Sequence, residues 1–268
     1  MRRSRWLWTL GLLSAAVALA REPQAARTPS SPEEPANAFG PGEQAIYRVH
    51  YLGMTAGTAT VTVGTEINQW GKGVLPIISI ATSDPKLVFY PIRDRFVTYW
   101  DPVTARSIGS ELFADENGKK RRQRIRLDHQ AGSATVVKQK DGQDPQESTH
   151  QIQPGTADVA AATFLMRSQK LFDGAEFSVP IFTGAKSFVM RARVEGRMTL
   201  KTPVGEREVY KIRTQTDFSG KFQSRSPMFA YLTTDPTHVP VRIEAEFLLG
   251  NVVAELTSYQ GGRALAVR

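Results

Sequence analysis

Apolar and polar residues alternate with a period of two through most of this chain. Ala59, Val61 and Val63 alternate with Thr58, Thr60 and Thr62, and Met190, Ala192 and Val194 with Arg191 and Arg193. Ile125 and Leu127 alternate with Arg122, Arg124 and Arg126, and Val241, Ile243, Ala245 and Phe247 with Arg242, Glu244 and Glu246. Successive side chains of a strand point to opposite faces, so this period predicts antiparallel strands with one dry and one wet face. Turn signals separate the runs, at Gly53, Asp141-Gly142, Gly250-Asn251 and most sharply Asn117-Gly118. Asn-Gly suits a type I′ hairpin because both central residues need positive φ. Only residues 156–172 read as a helix, with Thr156 or Asp158 as N-cap and Gly174 just past the end.

An Asp-Pro turn between strand-like runs occurs twice, at Asp101-Pro102 and Asp235-Pro236, 134 residues apart. Residues 77–82 echo 212–217, and residues 57–63 echo 196–202, at similar offsets. The expected fold is therefore all-β and antiparallel, with two curled half-barrel-like sheets from an internal duplication and one connecting helix. The halves are placed at residues 42–153 and 175–262, with the helix in 154–174. A curled sheet of this kind must hide its apolar face against another layer. Both Asp-Pro aspartates read as turn formers, not acids for catalysis.

The N-terminus predicts export. Arg2, Arg3 and Arg5 precede an apolar run that ends at Ala18-Leu19-Ala20, the pattern of a cleavable signal peptide over residues 1–20. Residues 21–41 are rich in Pro, Ser, Ala and Glu and read as a disordered tether. The chain has no Cys, which excludes disulfides, thiolate metal sites and lipidation at a cleavage-site Cys. A periplasmic location follows as the expectation. The net charge of +8 is mildly basic and favours anionic surfaces.

Motifs for catalysis are absent: there is no G-x-S-x-G, P-loop, H-E-x-x-H or EF-hand loop. His50, His129, His150 and His238 do not pair at metal-ligand spacings, and no cofactor is expected. The densest constellation is Phe89-Tyr90-Pro-Ile-Arg93-Asp94-Arg95-Phe96. It reads either as a binding rim, with aromatics for an apolar group and Arg93 or Arg95 for an anionic head group, or as the start of a strand whose Asp94 pairs with a neighbouring Arg. Met228, Phe229 and Tyr231 hold the matching place before the second Asp-Pro turn. If the halves face each other, Phe89, Tyr90, Arg93, Arg95, Met228, Phe229 and Tyr231 would line one shared ligand site. The basic run at residues 119–126 alternates with Ile125, so it reads as a solvated strand face or a contact for anionic lipid or polysaccharide. Export removes nucleic acid as a partner.

Gly42-Glu43 with Ile46-Tyr47, the run Tyr51…Ala56-Gly57, the motif at residues 89–95, Asp235-Pro…Val239-Pro240-Val241 and Gly250-Asn-Val-Val-Ala-Glu-Leu256 together resemble a family of exported bacterial proteins, domain of unknown function 3108. The resemblance spans residues 42–259. It implies a mostly β protein of the cell envelope and carries over no catalytic residue. The leading expectation is a non-enzymatic envelope protein that binds an apolar or lipid-like component. The alternatives are an assembly partner of other envelope proteins and, less favoured, a hydrolase of envelope polymers.

Overall fold

The computed structural model describes residues 38–86, 91–216, 227–247 and 250–263. The stretch expected to be a signal, residues 1–20, and most of that expected to be a tether lie outside these residues, as do Phe89 and Tyr90. The first half supplies β1 (Gln44–Tyr51), β2 (Met54–Val63), β3 (Ile67–Gln69), β4 (Lys72–Ser83), β5 (Ile92–Asp101), β6 (Arg106–Glu116), β7 (Lys119–Asp128), β8 (Ser133–Lys140) and β9 (Gln146–Gln151). A helix α1 (Val159–Arg167) follows. The second half supplies β10 (Glu176–Phe182), β11 (Ser187–Thr202), β12 (Gly205–Thr216), β13 (Met228–Thr233), β14 (Pro240–Phe247) and β15 (Gly250–Gln260).

The fold is antiparallel β with one helix, as the alternation predicts. The two halves form one continuous sheet rather than two. β10 to β15 run side by side in chain order, β15 then pairs with β1, and β1, β2 and β4 to β9 complete the sheet; β3 pairs only with β4. The junction is the β15–β1 ladder, in which Val49 lies opposite Ala254 and Tyr47 opposite Leu256. The echoed segments occupy successive places in this order: β2, β4 and the β5–β6 turn in one half, β11, β12 and the β13–β14 turn in the other. Both Asp-Pro turns are Asx turns. Asp101 Oδ1 accepts from the N–H of Val103 and Thr104, and Asp235 Oδ1 from the N–H of Thr237.

The sheet curls but does not close, so β9 and β10 remain end strands. At that seam Phe182 packs against Ile125, Leu127, Ala134 and Val136 of β7 and β8. Lys138 Nζ donates to the Gly184 carbonyl at 2.6 Å, and Gln123 Nε2 to that of Thr183 at 3.0 Å. The inside of the curl is filled by α1. Ala161, Ala162, Phe164 and Met166 of the helix join Val63, Leu75, Ile77, Trp100, Val194, Ile212 and Leu232 in the largest core cluster. Burial of each such Val, Leu, Ile or Phe side chain is worth ~1.5–3 kcal/mol.

The end of the stretch assigned to the tether by composition reaches into this core. Ala38 and Phe39 are buried, with Phe39 edge-on to both Trp100 and Phe164. One Phe in a Pro-rich stretch gives no periodicity, so its burial is invisible in sequence.

A smaller cluster lies on the outside of the curl, where Val74, Val97, Tyr99 and Ile108 pack with Trp70 and Ile78. Trp70 and Gly71 take φ of 52° and 81° in the β3–β4 turn, and Trp70 stacks edge-on to Tyr99. Gly109 makes room for this. A Cβ there would stand 2.2 Å from the Ile125 carbonyl oxygen and 2.7 Å from the Trp70 ring, at φ +146°. Gly109→Ala is therefore expected to lower stability by roughly 1–3 kcal/mol, through overpacking and backbone strain. A urea denaturation midpoint equal to wild type would contradict this.

Candidate functional site

The cavity in the described structure lies between α1 and the inner faces of β10 to β14. Val159, Ala162 and Met166 of α1 form one wall; Phe188, Met190, Met228, Ala230 and Ile243 are among the residues opposite. The lining is mainly apolar, with Thr163, Thr214 and Thr216 as its polar members. The volume is about 50 Å³, against ~300–1,000 Å³ for pockets that enclose a drug-sized ligand. The helix is the reason. A curled sheet offers a concave apolar face, and α1 occupies most of it.

Period two decides which expected site residues reach this cavity. Met228 lines it, opposite Thr214 of β12. Phe229 borders it as well, but its side chain packs against the neighbouring cluster that holds Tyr231, with Lys211 Nζ 4.4 Å from its ring centre. Tyr231 belongs to another cluster, with Tyr47, Val209 and Val239, and its hydroxyl donates to Glu244 Oε2 at 3.2 Å. Burial, reinforced by the Glu244 carboxylate, pushes the Tyr231 phenol up to about 12. On β5, Asp94, Thr98 and Trp100 point inward and are buried, so Arg93 and Arg95 point outward. Arg95 stacks 5.7 Å from the Phe113 ring centre. The structure thus brings Met228 and Phe229 to the cavity and leaves Arg93 and Arg95 on the opposite face of the sheet.

Two buried polar nodes hold α1 in place, and both were missed as sites in the sequence. At its N-terminus Asp158 is the N-cap, and it is buried. Its carboxylate accepts from Thr98 Oγ1 at 2.7 Å, Ser107 Oγ at 2.5 Å and the Ala161 N–H at 3.0 Å. Burial raises its pKa above the usual carboxylate range, opposed by these hydrogen bonds. His129 Nε2 lies 2.8 Å from the Ser107 carbonyl oxygen. A Ser, an Asp and a His therefore meet, but the imidazole reaches only the serine backbone while the serine hydroxyl donates to the aspartate. Ser107 and Asp158 are 1% and 2% exposed. This is a helix cap and lacks the nucleophile–base contact of a hydrolytic triad.

At the C-terminus, Arg167 is buried in a cage. Its Nη1 and Nη2 donate to the Glu43 carboxylate at 2.6 and 3.1 Å, Nη2 to the Ala38 carbonyl at 2.8 Å and Nε to that of Thr237 at 3.1 Å. Phe39 and Phe164 flank the guanidinium, with ring centres at 5.4 and 5.2 Å. His238 Nδ1 lies 2.8 Å from the Arg167 carbonyl oxygen. One side chain thus ties α1 to the N-terminal segment and to the second Asp-Pro turn. A single Arg at the end of an apolar helix ordinarily signals only a favourable helix-dipole charge, so the sequence held no sign of the cage.

Fold and site together define a class: a curled, open antiparallel β-barrel plugged by one helix. Within that class the chain belongs to the family described as protein of unknown function DUF3108, which matches residues 46–257. Among solved structures it is similar to a beta-barrel-like protein of domain of unknown function DUF1849 from Brucella abortus, at 11% identity and a TM-score of 0.55. That match covers 84% of this chain and 99% of the other. A protein with a YmcC-like fold from Bacteroides fragilis matches at 10% identity and a TM-score of 0.32, over 83% of this chain and 98% of that one. No curated protein matches the sequence.

Proposed function

We propose that this protein is a non-enzymatic, exported envelope component that holds the end of an apolar chain, such as a fatty-acyl tail, in the cleft beside α1. The observation that carries this reading is the lining. Met166 of α1 stands across an apolar space from Met190 and Met228 of the sheet, with Phe188 and Ile243 also lining it. Methionine is unbranched and adaptable, which suits a surface that must accept variable apolar groups. The small volume limits the occupant to a chain end, so a whole lipid inside the curl is not part of the proposal. Export rests on the charged and apolar N-terminal pattern of residues 1–20.

A fluorescent fatty acid titrated into the purified protein provides the test. Saturable one-to-one binding is expected. Ala162→Leu, which adds three carbons to the wall of the cavity, should weaken it at least tenfold while costing about 1–3 kcal/mol in stability from overpacking. Absence of saturable binding, or binding unchanged in a folded Ala162→Leu protein, would overturn the reading.

A further inference from the structure

One end of the curled sheet combines exposed apolar residues with an excess of cations. The β1–β2 hairpin turns at Leu52-Gly53, with φ of 52° and 78°. Leu52 is 54% exposed and Met54 62% exposed. Left-handed φ is unfavourable for leucine, and Asn is the ordinary residue at this place in a two-residue hairpin. The molecule supplies two comparisons. Asn117-Gly118, the β6–β7 turn at the same end, uses Asn at the equivalent position. Trp70-Gly71, in the β3–β4 turn, also puts an apolar residue there, but Trp70 packs against Tyr99 and above Gly109. Leu52 rests in part on Gly250, where no Cβ intervenes, and stays mostly in water. Strain combined with exposure of this kind points to a use outside the folded chain.

The register places the cations at the same end of the sheet as this tip. The Asp84 N–H bonds to the Ala56 carbonyl and the Asn117 N–H to that of Pro91, so these residues mark adjoining levels at the same end. Met54 projects two residues beyond Ala56, roughly 7 Å. Lys86, Arg93, Lys119 and Lys120, all exposed, lie to one side of the tip, from the end of β4 across to β7. Arg95 and Arg122 lie further down, stacked on Phe113 from either side, 5.7 and 5.4 Å from its ring centre. Glu116 pairs with Arg121 and Glu111 with Arg124, Asp94 is buried and accepts the Asp115 N–H, and Asp84 accepts the backbone N–H of Lys86. Asp115 lies opposite both Arg93 and Lys120 in the ladders and can balance only one of them. Among the described residues Arg93, Lys120 and Arg122 form no ion pair within 4 Å. Asp141, Asp144 and Glu147 at the β8–β9 connection and Glu246 on β14, opposite the Asn251 whose carbonyl accepts the Leu52 N–H, are further acids at this end, so the excess of cations is confined to β5 to β7.

We propose that this end docks on an anionic lipid surface, with Leu52 and Met54 entering the boundary between headgroups and acyl chains and the cations beside them meeting lipid phosphates. Charge complementarity selects this occupant, and the depth fits: interfacial side chains bury ~5–10 Å into that boundary, with basic residues at headgroup level. The alternating charges of β7 exclude a barrel that spans the bilayer, because Arg and Lys on a lipid-facing strand are costly. Docking is independent of the acyl cleft, which lies on the inner side of the sheet.

Flotation with vesicles tests it, using phosphatidylglycerol–phosphatidylcholine mixtures against phosphatidylcholine alone. The protein should float with the anionic vesicles only, and salt should release it. Leu52→Asn is the decisive variant. It should melt at the same or a higher temperature, since Asn suits the left-handed turn, yet bind vesicles about tenfold more weakly. Arg93→Glu with Arg122→Glu should remove binding altogether. No flotation of the wild type, or flotation untouched by Leu52→Asn, would overturn the proposal. So would a concentration-dependent dimer that Leu52→Asn dissociates in the absence of lipid, because the tip would then be an interface between copies.

Discussion

Replacing Arg167 by Met is expected to destabilise the protein by about 3–5 kcal/mol, the cost of leaving a buried charge without its partner. Glu43, with 5% of its side chain exposed, would keep its carboxylate and lose both guanidinium bonds. The carbonyls of Ala38 and Thr237 would lose a donor as well. For a chain of this length each kcal/mol moves Tm by roughly 2–4 °C, so a drop of about 6–20 °C is the readout. The double replacement Arg167→Met with Glu43→Leu should recover much of that loss, since a buried ion pair can be exchanged for apolar groups at little net cost. If the single and double variants melt together, the pair is not the node described here. Hydrogen exchange should also rise first at residues 38–43 and 233–239, the two segments that Arg167 ties to α1.

Asp158→Ala should cost about 2–4 kcal/mol. It removes an N-cap, worth ~0.5–2 kcal/mol, and leaves the hydroxyls of Thr98 and Ser107 without their acceptor inside the protein, at ~1–3 kcal/mol for an unsatisfied buried group. Asp158→Asn keeps an acceptor oxygen and separates charge from capping. Burial raises the Asp158 pKa in the folded state, so the native protein holds this proton more tightly than the unfolded chain. The stabilisation from that proton is complete below the unfolded value and is lost as pH rises through the folded one. The Asn variant should therefore be flatter in stability over that range, and equal to or above wild type at neutral pH. Urea denaturation between pH 4 and 8 measures both curves. A wild type that gains stability over Asp158→Asn as pH rises would show instead that the carboxylate is stabilised in its charged form.

The candidate site was legible only in fragments. Met228 and Phe229 were found because an echoed Asp-Pro turn marked the place before it, and that place borders α1. Arg93 and Arg95 were paired with them by the same echo, and the pleat of β5 turns them outward. An echo in sequence reports the strand but carries no information about which face meets the other half. Asp158 was visible as a capping residue before an apolar run. Its burial beneath β5 and β6, and the contact with Thr98 and Ser107, depend on residues 60 and 51 positions away.

What the sequence determined by itself is local. Alternation set the strands and their inward faces, Asn117-Gly118 set a hairpin in which both residues have positive φ, and Asp101 and Asp235 set two Asx turns. These follow from two-residue pleating and from short-range hydrogen bonds, which neighbours along the chain decide. Tertiary structure decided the rest. It joined the halves into one sheet through β15 and β1, filled the curl with α1 and reduced the cavity to about 50 Å³. It also buried Arg167 against Glu43, 124 residues away. An apolar strand face must be covered, but its pattern does not say by what. Only the packing of the helix against the curled sheet answers that.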